Sequence, residues 1–150
     1  VVLWDINCKL LDVMKSHFEL NNTQFEQQFK SCKMDPTLFS HEAHLRLAYI
    51  HIGKYGHDQA ITNVCNQLAA YVTYLGDTDK YNTTLTVAAV KAVYHFMQKS
   101  KVNDFKGFIA EFPQLKYEFK RLMQCHYDFD IFNSKKAKKT FLEPNLLPFD

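Results

Sequence analysis

The sequence predicts an all-α fold: one helical domain over residues 1–150, a compact bundle of six or seven helices with an extended, proline-containing C-terminal tail. Three observations predict it. Apolar residues recur at spacings of three and four along most of the chain, the period of a helix with one buried face. Gly and Pro number only four each, too few for a turn-rich β fold. Pro144 and Pro148 stand where the helical pattern stops, and no long helix can run through them. A chain of 150 residues is enough for one domain with a real core.

Taken in order, Leu3, Ile6, Leu10, Val13, Met14 and Phe18 recur at helical spacing. Residues 3–19 therefore read as an amphipathic helix with Asp5, Lys9, Asp12 and Lys15 outward, and with His17 exposed near its end. Asn21 and Asn22 break it. Thr23 can cap a short second helix, with Glu26 three residues on and Phe25 and Phe29 one turn apart. Met34-Asp-Pro-Thr37 is a turn. Ser40 suits the N-cap of the next helix, Glu42 suits its first turn, and Gly56 is a natural stop.

The helix from about Asp58 to Leu75 carries Ile61, Val64, Cys65, Leu68, Val72 and Leu75 as its core stripe, and Gly76–Asp79 is a loop. Residues 83–99 are the most apolar stretch, with Leu85, Val87, Val90, Val93, Phe96 and Met97 spread around most of the circumference; this helix is predicted at the centre of the bundle. His95 lies on it as a core or edge residue. Asn103 or Asp104 caps a short helix bearing Phe105, Phe108, Ile109 and Phe112. Beyond Pro113, Leu115, Phe119, Leu122 and Met123 mark another. Residues 127–132 read as irregular, and Ser134–Lys139 as one or two helical turns whose lysines form a solvated face. The apolar residues of Phe141–Phe149 predict a tail packed back on the bundle.

Bulk chemistry excludes several function classes. A net charge of +2 gives no general attraction to nucleic acid or to a membrane surface. No apolar run approaches the roughly 20 residues that span a bilayer. Cys8, Cys32, Cys65 and Cys125 are far apart and form no C-x-x-C pair, which argues against a zinc ribbon or a thioredoxin-type motif. The first fourteen residues lack a basic leader, and Asp5 and Lys9 interrupt their apolar run. The expectation is reduced, buried cysteines in a cytoplasmic protein, with no nucleic-acid partner and no membrane partner.

The stretch Phe39–Gly53 concentrates chemistry. Three of the seven histidines fall on one arc of its helix, His44 about 60° and His51 about 80° round from His41. His41 and His44 are only about 4.5 Å apart along the axis, so they can share a ligand or a metal, with Glu42 nearby; His51 is about 10 Å further and cannot join them. A pair at i, i+3 is also what a hydrogen-bonded interior pair looks like.

These residues carry a resemblance. Phe39, His41, His44, Leu45 and Ala48 fit a pattern F-x-H-x-x-H-L-x-x-A. Lys80-Tyr-Asn-Thr-Thr-Leu-Thr86 is similar to a K-Y-H-E-T-x-T segment, and Tyr127, Ser134, Ala137, Phe141, Pro144, Asn145 and Leu146 echo a tail pattern. Over about residues 25–150 the chain resembles a family of small uncharacterised bacterial all-helical proteins. The middle segment departs from it: Asn82 and Thr83 stand where the family pattern has His and Glu, and Asn is a poor transition-metal ligand. The resemblance brings no activity with it.

Two functions follow. In one, the chain is a non-catalytic helical module that binds a small molecule or a partner at a polar site of His41, His44, Tyr81, Asn82 and Thr84. In the other, His41 and His44 bind a divalent metal or act as acid and base, since imidazole titrates near neutrality. Catalytic zinc takes three protein ligands, and the third could come from His126 or Asp128 only if the tail returns to the pair.

Overall fold

The computed structural model describes residues 16–149, and among these the chain is all-helical. Eight α-helices follow one another: α1 (Asn22–Lys30), α2 (His41–Tyr55), α3 (His57–Tyr74), α4 (Thr83–Met97), α5 (Phe105–Glu111), α6 (Gln114–Tyr117), α7 (Phe119–Gln124) and α8 (Lys135–Lys139). Short 3-10 turns stand at His17–Glu19, Pro36–Leu38 and Thr78–Lys80. The predicted first helix falls on residues outside the described ones over 3–15. Its last turn is not part of it: Ser16 is extended, with φ −133° and ψ 153°, and its hydroxyl caps a separate 3-10 turn.

Local chemistry sets the helix ends. Asn21, two residues before the predicted cap, accepts from the Gln24 amide at 2.8 Å while the Gln24 side chain accepts from the Asn21 amide at 3.0 Å. This reciprocal pair satisfies two otherwise orphaned donors. Ser40 caps α2 through the Ala43 amide, Asn82 caps α4 through Leu85, and Asp104 caps α5 through Gly107. Gly56 separates α2 from α3 with φ 84° and ψ 168°, a conformation open essentially to glycine alone. Residues 114–124 make two helices because Glu118 leaves helical geometry at φ −128°.

Three long helices form the frame. α2, α3 and α4 pack against one another, and α1 and α6 lie on α2. Their shared core contains Leu45, Leu47, Ala48, Val64, Ala88, Val90 and Val93, all buried. Phe29 adds an aromatic cluster with Phe39 and Tyr71, at centroid distances of 4.7 and 4.9 Å, and the Tyr71 hydroxyl donates to the Met34 carbonyl at 2.9 Å. Burying such rings contributes on the order of 2–3 kcal/mol each. Among the described residues no helix is long and apolar enough to cross a membrane.

The tail is extended from Thr140 and strapped to the bundle. The Asn82 amide donates to the Ile131 carbonyl at 2.8 Å, Thr83 to Lys138 at 3.0 Å and Thr84 to Thr140 at 2.8 Å; the Leu142 amide donates back to the Thr84 hydroxyl at 3.0 Å. Further on, the His126 Nδ1–H donates to the Leu147 carbonyl and its ring stacks on Phe149 at 4.0 Å.

Two expectations about single residues are corrected. His17 is buried, not exposed, because it is the hub of a polar network that the sequence does not show locally. Cys8 lies outside the described residues; Cys32, Cys65 and Cys125 are free thiols, but none is fully buried: Cys32 and Cys65 are half-buried, and Cys125 is exposed at the end of α7.

Candidate functional site

The first turn of α2 meets α3, α4 and α7 around a cavity of about 290 Å³. Its walls are mainly apolar: Leu45, Leu68, Leu85, Val90, Phe119 and Phe132 among them. His41, His44, Lys80, Asn82 and Thr86 are the polar residues of its wall. Ridge spacing explains the composition of α2 here. His41, His44, Leu45 and Ala48 stand three and four residues apart, so one helix face carries both histidines and the apolar surface beneath them.

Each histidine has one ring nitrogen tied to a backbone carbonyl. His44 Nδ1 lies 2.7 Å from the Ser40 carbonyl and His41 Nε2 lies 2.9 Å from the Leu115 carbonyl. A carbonyl only accepts, so both of these nitrogens carry hydrogen. The other nitrogen of each ring, His44 Nε2 and His41 Nδ1, makes no hydrogen bond to a described residue. The His44 ring rests on Phe39 at 3.9 Å and His41 on Phe119 at 4.9 Å, which holds both planes in place. Burial lowers the His44 pKa to about 4; the Ser40 carbonyl opposes that shift and the neighbouring His41 adds to it. His44 is therefore a neutral imidazole at physiological pH.

Asn82 lines the same cavity, but its side chain is fully engaged. Its oxygen accepts from the Leu85 amide and its nitrogen donates to Ile131 and, at 3.4 Å, to Phe132. Thr84 and Tyr81 do not line this cavity. The Thr84 hydroxyl is part of the strap that holds Thr140 and Leu142. Tyr81 is beside Cys65 and Thr83, and burial pushes its pKa up to about 12. Glu42 is also turned elsewhere: it accepts from His17 Nε2 at 2.8 Å and pairs with Lys116 at 2.9 Å.

His126 and Asp128 do not join the pair. His126 is bonded to Leu147, and Asp128 to Asn145. Among the described residues no group of three His, Cys, Asp or Glu is placed to hold a metal ion. The pair alone offers two nitrogens.

Sequence reasoning missed Lys80, Phe119 and Phe132 as parts of this wall. They come from three separated segments, and nothing in their local spacing sets them apart from ordinary surface or core positions. It also missed Arg46, which is buried and donates to the His17 and Leu20 carbonyls at 2.6 and 2.8 Å, with its guanidinium 4.7 Å from the Phe25 ring. Comparisons with protein-family models, with curated proteins and with solved structures each return no match.

Proposed function

We propose that the chain is a helical module that binds a small molecule in the cavity between α2, α3, α4 and α7. The observation that carries this reading is the composition of the cavity: mainly apolar walls with a few oriented polar groups, the usual make-up of a small-molecule site. Its volume of about 290 Å³ is at the lower end for such sites. The orientation of the histidines supports the same reading, because each ring is already held by a carbonyl and an aromatic neighbour. A ligand would meet a site that costs little ordering on binding.

The test is a ligand-detected screen of aromatic and aliphatic fragments against the wild type and Ala89→Phe. Ala89 is a half-buried residue of the cavity wall, and a phenyl ring there would fill the space. The expected outcome is a set of fragments that binds the wild type and is lost in the variant. Fragments that bind both proteins equally, or none that bind at all, would sink the reading.

A metal-dependent reading has one observation in its favour. Histidines that ligate metals almost always give their second nitrogen to a carbonyl or carboxylate, as His41 and His44 do. Elemental analysis of tag-free protein beside the His41→Ala/His44→Ala double variant decides it: stoichiometric metal in the wild type alone would replace the small-molecule reading.

A further inference from the structure

We infer that the cavity selects neutral hydrogen-bond donors, phenols or alcohols on an apolar body, whose hydroxyl is accepted by His44 Nε2. This rests on the cavity being a ligand site. The Ser40 carbonyl, 2.7 Å from Nδ1, fixes the proton there, so a neutral ring has its lone pair at Nε2. No described residue donates to that lone pair, and the ring is part of the cavity wall. His41 gives its Nε2–H to the Leu115 carbonyl.

The remaining polar groups are engaged. Asn82 has its amide on Ile131 and Phe132 and its oxygen on Leu85, and the Thr86 hydroxyl donates to the Asn82 carbonyl at 2.7 Å. The acceptor left open in the wall is therefore His44 Nε2, and Lys80 is the single cationic side chain there. A carboxylate at His44 would face the Nε2 lone pair. A cation would leave water for apolar walls with Lys80 close by. What fits is a neutral O–H, with the rest of the molecule apolar against Leu68, Leu85, Val90, Phe119 and Phe132. At a packing density of about 0.75, the 290 Å³ space holds a compound of one or two rings.

The probes are 2-naphthol, its methyl ether 2-methoxynaphthalene, and 2-naphthoate, titrated calorimetrically into the full chain and into His44→Leu. One neutral hydrogen bond predicts that the wild type binds 2-naphthol roughly five- to tenfold more tightly than the ether. In His44→Leu that preference should fall below about twofold while the ether still binds. Nitrogen-15 spectra of labelled histidine should show His44 protonated at Nδ1, with the Nε2 resonance moving on addition of 2-naphthol and not of the ether. These spectra and the wild-type comparison carry the test if the variant does not fold. Equal binding of naphthol and ether, a preference unchanged in His44→Leu, or tightest binding of 2-naphthoate would overturn the donor inference and leave the cavity a ligand site. Binding of none of the three would overturn the cavity reading as well.

Discussion

His17, His44 and His51 are the residues whose chemistry the fold changes most visibly. Burial lowers the pKa of all three from the ordinary 6.5, His44 to about 4, against the pull of Glu42 on His17 and of Glu26 on His51. In the unfolded chain these imidazoles regain their ordinary affinity for protons, so acid favours unfolding. The stability they contribute is complete above about pH 6.5 and is lost as the pH falls toward 4. Glu42 and Glu26 extend the loss. Burial alone would raise both carboxyls, but hydrogen bonds from Lys116 and His17, and from Tyr55 and Lys54, outweigh it and hold both below 4.5. Their contribution falls away as the pH drops below that value. The urea midpoint should therefore decrease between about pH 7.5 and about pH 5. His44 Cε1 proton shifts should show no titration until near pH 4. A midpoint independent of pH over that interval would mean that the histidines are solvated.

None of this was legible in the chain. His17 follows charged and polar residues in a pattern that puts it outside, yet Arg46 donates to its carbonyl and Glu42, 25 positions away, accepts from its ring. His41 and His44 were legible as a pair because two residues three apart on a helix share a face whatever surrounds it. Their free nitrogens were not, since the carbonyl that orients His41 belongs to Leu115.

At the scale of elements, the segment Lys80–Thr86 ties the start of α4 to the last part of the chain. Asn82, Thr83 and Thr84 hold the chain between Ile131 and Leu142 through side-chain hydrogen bonds, with Asn82 also capping α4. The start of α4 and the chain from Ile131 to Leu142 are therefore partners in one strap. Thr84→Val keeps the shape and removes the hydroxyl that serves both Thr140 and Leu142. A loss of about 1–3 kcal/mol is expected, with faster hydrogen exchange at the Leu142 amide. Unchanged exchange there would show that the strap is held by packing alone. The helix boundaries themselves were largely readable, because Ser40, Asn82, Asp104 and Gly56 act on their own turn. The first turns of α1 and α7 were not: Asn21 outcompetes Thr23 through the reciprocal bond with Gln24, and Glu118 interrupts a stretch whose apolar spacing continues through it.

For the whole molecule, the expectation that residues 83–99 run through the centre agrees with α4, which packs on α2, α3 and α8. Val90 is 1% exposed within it. Val90→Asp would place a carboxylate among apolar core side chains, at a cost of several kcal/mol against a total stability on the order of 5–15 kcal/mol. The variant should be unfolded at room temperature by circular dichroism. A near-native melting temperature would show that α4 is not the centre. The cavity is also a property at this scale. It exists where four helices and Phe132 meet without filling the space, and no single element contains it.

The sequence by itself determined that the chain is helical, where most helices start and stop, which helix is central and that two histidines share a face. These follow from periodicity and from side chains acting within one turn of their own backbone. Only the tertiary structure decided that the space beside those histidines is apolar and that His44 is buried as a neutral ring. It also decided that Asn82 and Thr84 hold the tail while Glu42 serves His17 and Lys116. The orientation of His41 and the roles of Glu42, Asn82 and Thr84 depend on partners 25 to 74 positions away, and local physical chemistry specifies which partners a side chain can accept, not which one the fold delivers.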